Sequence, residues 1–242
     1  MIQIPGQRAA RYDKAFYDDF TASSLRSGEI VLGTLLERYA LRSVLDVGCG
    51  VGTWLKAASN LGVPTLRGFD GPWVDDSQLL VDPASFTRIN FESPQWPDFG
   101  AVDLAMSLEV AEHLSPAQGH ILVERLCKSA PAVLFSAAIP QQGGEGHQNE
   151  QWQSYWANIF ASHGYKPSLF LRRLTWANAD VNFWYRQNMV LYFDPVRLPA
   201  LMEAADLAEP MDVIHPDLYQ IRVIKRARHG RLRRLLDAMR MR

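Results

Sequence analysis

Cysteine is nearly absent: Cys49 and Cys127 are the only two in 242 residues. They make no disulfide framework, and neither has a Cys or His at metal-ligand spacing. Long apolar runs are missing as well. No stretch approaches the roughly 18 residues needed to span a bilayer. Met1–Arg11 is polar, without the apolar centre of a signal peptide. A cytoplasmic, reducing setting and no stable membrane insertion are therefore expected. Charge of one sign is also lacking. The formal net charge is -1, which gives no global pull toward nucleic acid, so no nucleic-acid partner is expected. Internal repeats and low-complexity segments do not occur.

What is present is a hydrophobic fraction of 48%, enough to bury one good core. Short apolar strands are predicted at Ser43–Val47, Thr65–Phe69, Thr87–Phe91, Val102–Leu108 and Ala132–Ile139. Helical patterns occupy Tyr12–Phe20, Ile30–Tyr39, Thr53–Leu61, Ala117–Ser129 and Glu150–His163, the last ended by Gly164. Strands alternating with helices predict an α/β, mostly parallel, doubly wound sheet. Leu169–Arg173 and Asn188–Phe193 read as late strands, one of them an antiparallel addition. The expected division is an N-terminal helical lid over residues 1–40, a core over 41–195 and a basic helical extension over 196–242.

The first strand runs into Leu45-Asp46-Val47-Gly48-Cys49-Gly50-Val51-Gly52. Glycines between a strand and a helix let the backbone approach a ligand, and the helix N-terminus favours a negative group. The pattern is D-x-G-x-G-x-G, not the dinucleotide pattern G-x-G-x-x-G. Asp70 ends the second strand about twenty residues beyond the loop, where a carboxylate accepts hydrogen bonds from ribose hydroxyls. A tight turn at Gly48, Gly50 and Gly52, with Asp70 as a helix cap, is the bland alternative.

Together these residues resemble motif I of the class I S-adenosylmethionine (SAM)-dependent methyltransferases. The resemblance implies a Rossmann-like fold, SAM as cofactor, and a SAM site that includes Asp46, Gly48, Gly50, Gly52, Phe69 and Asp70. Asn90 and Phe91 follow the third strand, where many relatives place an acidic residue on the adenine amino group. Asparagine departs from that pattern but can accept the same hydrogen bond, and a plain turn is its competing role. Ser107-Leu108-Glu109-Val110-Ala111-Glu112-His113-Leu114 is similar to the E-V-x-E-H-L segment of small-molecule methyltransferases, which lies beside the cofactor. Glu109 and His113 are four residues apart and would share a face on a helical turn. That pair could act as acid or base, or His113 could only position the loop.

A polar, glycine-rich loop leaves the fifth strand: Ile139-Pro140-Gln141-Gln142-Gly143-Gly144-Glu145-Gly146-His147-Gln148-Asn149-Glu150-Gln151-Trp152. The C-terminal edge of such a sheet is where ligands bind. This loop resembles one in bacterial methyltransferases of polysaccharide or secondary-metabolite biosynthesis, with Gln141 at a position where those have glycine. His147 is the expected general base, since an imidazole titrates near neutral pH, with Glu150 or Asn149 orienting it or the acceptor. His113 is the rival base. Asn149, Trp152, Tyr155, Arg186 and Tyr17 are the substrate candidates. For the aromatic residues of Trp176 and Trp184-Tyr185-Arg186-Gln187-Asn188, core packing competes, and for Arg186 a buried ion pair does.

The expected activity is SAM-dependent O-methylation of a small hydroxyl-bearing acceptor such as a sugar, nucleotide-sugar or glycosylated natural product. Alternatives are N- or carboxyl-methylation, and a non-catalytic SAM-binding partner module. No metal is expected, because Asp75, Asp76, Asp82, Glu109 and Glu112 show no oxygen cage at readable spacing. From Arg222 to Arg242 the only acidic residue is Asp237. Leucines at helical spacing suit that tail either to its own domain or to anionic lipid.

Overall fold

The computed structural model describes residues 14–93, 95–202 and 211–222. Five strands run parallel: β1 (Ser43–Val47), β2 (Thr65–Asp70), β3 (Phe86–Arg88), β4 (Leu104–Leu108) and β5 (Ala132–Ser136). Two more follow, β6 (Lys166–Ser168) and β7 (Val190–Phe193), and β7 is antiparallel to both β5 and β6. The seven-stranded sheet has the order β3-β2-β1-β4-β5-β7-β6. All five residues of β4, and all five of β5, are buried. Their apolar runs show no polar alternation because helices cover both faces of a parallel sheet.

Side chains alternate between two cores, as the pleat requires. Leu45 and Val47 of β1 join one core with Leu122, Val123, Trp156 and Phe160. Those partners lie on α3 (Pro116–Ser129) and α4 (Gln153–Ser162). Val44 joins the other core with Leu32, Leu35, Leu55, Phe170 and Tyr185. These come from α1 (Lys14–Leu36), α2 (Thr53–Asn60), α5 (Phe170–Thr175) and α6 (Phe183–Asn188).

Three expectations need correction. The two N-terminal helices, Tyr12–Phe20 and Ile30–Tyr39, are one helix over their described part, α1. The Ser/Gly-rich stretch between them is a packing face: Ser27 Oγ donates to the Ser23 carbonyl at 2.9 Å. A Cβ on Gly28 would lie 2.9 Å from that of Ala57 on α2. Leu169–Arg173 does not form a strand; β6 lies earlier, and α5 takes that segment. It buries Phe170, Leu171, Arg172 and Thr175 while Leu174 is exposed, which is helical spacing. Trp184–Asn188 likewise belongs to α6, and β7 begins only at Val190.

Residues 216–222 form a further helix. Their segment docks on the domain through Asp212, which accepts from Ser154 N and Oγ at 2.8 and 2.7 Å, and through Asp217, paired with Arg186 at 2.7 Å. The first part of the expected lid, residues 1–13, and the basic tail over 223–242 lie outside the described residues. No helix among the described residues is long and apolar enough to cross a membrane.

Candidate active site

Neighbouring strands β1 and β4 lead to opposite halves of the sheet, so the crevice beyond their C-terminal ends is its topological switch point. The glycine loop fills one side of it. Gly48 N and Cys49 N donate to the Phe69 carbonyl at 2.7 and 3.2 Å. Asp70 accepts Gly50 N on Oδ2 and Gly71 N on Oδ1, both at 2.6 Å. Asp70 thus fixes the loop from the end of β2. Gly48 has φ 84, and a Cβ there would sit 2.3 Å from Val110 Cγ2, so the loop and the segment after β4 touch backbone to side chain. Gly50 has φ 56 and nothing within 4 Å of its would-be Cβ: the backbone faces open space. Gly52 is the N-cap of α2. Asp46 is 3% exposed. Burial, with the Asp70 charge beside it, pushes its carboxyl up to about 8.

The other cofactor candidates serve the walls. Phe69 packs on Phe99 with centroids 4.6 Å apart, and Phe91 packs between Trp73 and Trp96. Asn90 is exposed and its Oδ1 accepts from Glu92 N at 3.0 Å, a turn contact. Ser107 Oγ donates to the Val47 carbonyl at 2.9 Å and ties β4 to β1, while Leu108 lies in the core.

Glu109 leaves β4 in the left-handed region, with φ 58. A non-glycine residue persists there only where its surroundings hold it. Its N–H donates to the Ser136 carbonyl and to Ser136 Oγ, at 3.0 and 3.1 Å. Its Oε1 accepts Asn188 Nδ2 at 2.9 Å and its Oε2 accepts Gln142 Nε2 at 3.0 Å. Burial raises the Glu109 carboxyl to about 7 against these hydrogen bonds. The expected shared face with His113 does not form. Val110 and a 3-10 turn over Ala111–His113 follow Glu109, and the His113 ring meets His147 edge-on at 4.7 Å instead. Burial, reinforced by His147, lowers the His113 imidazole to about 4. Glu112 is 1% exposed, and burial with the nearby Glu109 charge holds its carboxyl well above the usual range.

The loop after β5 folds back over this turn. Gln148 N and Asn149 N both donate to the Glu112 carbonyl, at 2.9 and 3.0 Å, and Gln148 Nε2 donates to the His113 carbonyl at 2.6 Å. Glu150 collects the loop: Oε2 accepts Gln141 N at 2.7 Å, and Oε1 accepts Gly143 N at 2.5 Å and meets His147 Nδ1 at 2.8 Å. Gln141, at the position where the resemblance expects glycine, adopts φ 68, the left-handed conformation glycine would take without cost. The structure therefore brings His113, His147 and Glu150 together beside Glu109 and Glu112.

The substrate candidates scatter. Asn149 is buried inside the loop, donating toward the Ala111 carbonyl and accepting Gln151 Nε2. Tyr155 turns to α3, where its hydroxyl meets His120 Nε2 at 3.2 Å. Arg186 donates to Asp217 and to the Trp176 carbonyl and is 7% exposed. Trp152, at the start of α4, is 38% exposed. Tyr17 lies on α1, and its side chain falls outside the described set. Sequence reasoning missed Gln142 and Asn188 as partners of Glu109. Asn188 was hidden by the assignment of its segment to a strand. As part of α6 it is 2% exposed and hydrogen-bonded to Gln142, Gln187 and Glu109.

No protein-family model matches the chain, and no curated protein matches it in sequence. Solved structures do match. Magnesium protoporphyrin IX methyltransferase from Synechocystis with bound S-adenosylhomocysteine superposes at a TM-score of 0.51 and 12% identity, over 77% of this chain and 90% of that one. Human N-acetylserotonin methyltransferase in complex with SAM gives 0.50 and 14%, over 74% and 54%. A putative O-methyltransferase from Nostoc punctiforme gives 0.51 and 13%, over 74% and 58%. The fold is that of the class I methyltransferases. At these identities the likeness is one of fold, and the chain spans little more than half the length of the human and Nostoc proteins. Within the class I methyltransferase fold, the glycine loop and the clustered acids and histidines occupy the same C-terminal edge of the sheet.

Proposed function

We propose that this chain is a SAM-dependent O-methyltransferase of a small hydroxyl-bearing acceptor such as a sugar or glycosylated metabolite. The observation that carries the reading is the D-x-G-x-G-x-G loop, braced by Asp70 and open at Gly50, at the switch point of a class I methyltransferase sheet. SAM carries a free ribose diol and a cationic sulfonium. Asp70 supplies a carboxylate at the ribose position, and Asp46 a buried carboxyl, held protonated near neutral pH, behind the loop.

Methyl transfer is an in-line displacement at the SAM methyl carbon. The oxygen–carbon bond forms as the carbon–sulfur bond breaks, and the electron pair leaves with sulfur. Catalysis then needs alignment and removal of the hydroxyl proton. In this reading His147 accepts that proton, and the Glu150 contact to its Nδ1 at 2.8 Å supports the assignment. Burial lowers the basicity of His113, which tells against it as the acceptor.

Calorimetry tests the cofactor. Tight SAM binding, with no tight NAD binding, is expected, and Asp70→Ala should weaken SAM by about 1.5–3 kcal/mol as hydrogen bonds to a charged group are lost. Formation of S-adenosylhomocysteine across a panel of sugars and nucleotide-sugars tests the reaction. SAM binding without turnover on any hydroxyl acceptor, but with turnover on amines or carboxylates, would replace O-methylation by one of those chemistries.

A further inference from the structure

One cluster has ligating groups that hydrogen bonding leaves unused. A carboxylate oxygen of Glu112 and one ring nitrogen each of His113 and His147 lie within 4.8 Å of one another. Glu112 is 1% exposed, yet its Oε2 has no hydrogen-bond partner. His113 Nδ1 is also buried and makes no hydrogen bond of standard geometry, although the Gly146 backbone lies against it. Leaving two such atoms unsatisfied in one small space costs free energy that a bound ligand would recover. His147 has Nδ1 engaged by Glu150, the carboxylate–histidine arrangement that orients a metal-binding imidazole, so Nε2, which lies against Gly144, is the nitrogen that would ligate.

We propose that Glu112, His113 and His147 bind a divalent transition-metal ion, with at least one coordination position left for the acceptor hydroxyl. Two imidazoles and one carboxylate suit zinc, cobalt or nickel better than calcium or magnesium, which take oxygen ligands. Three protein ligands and an open position are the pattern of catalytic rather than structural sites. Ligands held at about 2.1 Å from such an ion lie about 3.4 Å apart in a tetrahedral arrangement, so the cluster contracts on binding. The loop carrying His147 can supply that movement, since Gly143, Gly144 and Gly146 surround it. Glu109 is not among the ligands, because both its oxygens are taken by Asn188 and Gln142. The sequence expectation of no metal rested on spacing along the chain, among the carboxylates and around the two cysteines. Asp75 and Asp82 cap 3-10 turns and Asp76 pairs with Arg88, whereas folding brings two histidines from separate strand–helix connections to Glu112.

The methyl-transfer reading enters only through the position of the acceptor; cation binding stands apart from it. In the loaded state His147 is a ligand. A bound cation would acidify a coordinated hydroxyl, whose proton would pass to solvent, and His147 would then serve as a ligand and not as a free base.

The test uses the full chain stripped with a chelator and titrated with cobalt or zinc, read by calorimetry and by the cobalt visible spectrum. SAM affinity is measured on the same samples. One ion per chain is expected, with affinity lowered more than about tenfold in Glu112→Gln and His147→Asn and unchanged in His120→Asn, which alters an exposed histidine elsewhere. Circular dichroism identifies any variant that fails to fold. A stoichiometry near zero in the parent, or equal affinity in all three variants, overturns the proposal. SAM binding without an ion would leave the methyltransferase reading standing and remove this one. An ion without SAM binding would do the reverse.

Discussion

At the scale of single residues, His147 and Asp46 make the sharpest demands. Replacing His147 with Ala or Gln should leave SAM affinity nearly intact and lower kcat by about 10²–10⁴, the usual contribution of a positioned base. A metal-ligand role predicts a loss of similar direction, but then chelation of the parent should also stop turnover. Near-normal turnover in the His147 variants, with collapse on replacing His113, would transfer the role to His113. Asp46 controls a pH dependence of stability. Its folded carboxyl is raised from 3.8 to about 8, so the folded state holds a proton that the unfolded chain has released across that interval. Its stabilising share is complete below the unfolded value and is lost as pH rises through the folded one. Urea unfolding of the cofactor-free protein should show stability falling from about pH 4 to about pH 8. In Asp46→Asn that slope should flatten, because the neutral isostere has no proton to lose. An unchanged slope in the variant would assign the pH dependence to another group.

At the scale of elements, the β1–α2 loop separates folding from binding. Gly48→Ala places a methyl group 2.3 Å from Val110 Cγ2 in a left-handed backbone, so a clear loss of stability is expected, of about 2 kcal/mol or more. Gly50→Ala meets no atom within 4 Å. It should cost only about 1–2 kcal/mol of backbone strain, yet weaken SAM because the new methyl fills the space the cofactor needs. Thermal melts and SAM titrations of the two variants distinguish these effects. Equal SAM affinity in Gly50→Ala and the parent would place the cofactor elsewhere. Helix α6 raises a parallel question about Arg186, which pairs with the half-exposed Asp217. Arg186→Met should loosen the docked segment over residues 211–222, seen as faster amide hydrogen exchange there. If the acceptor KM rises while exchange is unchanged, Arg186 contacts substrate instead.

For the whole molecule, ligand linkage tests whether the sheet edge works as one site. A cofactor that binds only the folded chain at 100 times its Kd should add about 2.7 kcal/mol of stability. SAM and S-adenosylhomocysteine should therefore raise the melting temperature by several degrees, while NAD should not. The crevice between β1 and β4 is lined from both directions, by the glycine loop on one side and by the post-β4 turn and post-β5 loop on the other. Gly48 against Val110 is where the two sides meet. Cofactor binding should accordingly slow hydrogen exchange in the loop over residues 140–150 as well as around Gly50.

Local sequence was sufficient for the parallel half of the sheet. The apolar runs of β1, β4 and β5, each followed by a loop and an amphipathic helix, can be buried in few other ways. The strand–glycine loop–helix junction at Gly48 and Gly50 was legible because its left-handed backbone constrains residue type at those positions. The antiparallel end was legible only in part: the late strand ending at Phe193 forms as β7, antiparallel to β5, but the segments before it do not form strands. Short apolar segments such as Phe170–Thr175 and Phe183–Asn188 fit either a strand or a helix, and only packing against the second core selects the helix. The polar centre was least legible of all. Glu109, Gln142 and Asn188 come from three separate connections, and Glu112 and His113 meet His147 from two. No spacing in the chain encodes such contacts. They arise because the parallel strands β4 and β5 deliver their C-terminal loops to one edge, where burial strips the water from groups that would otherwise be solvated apart.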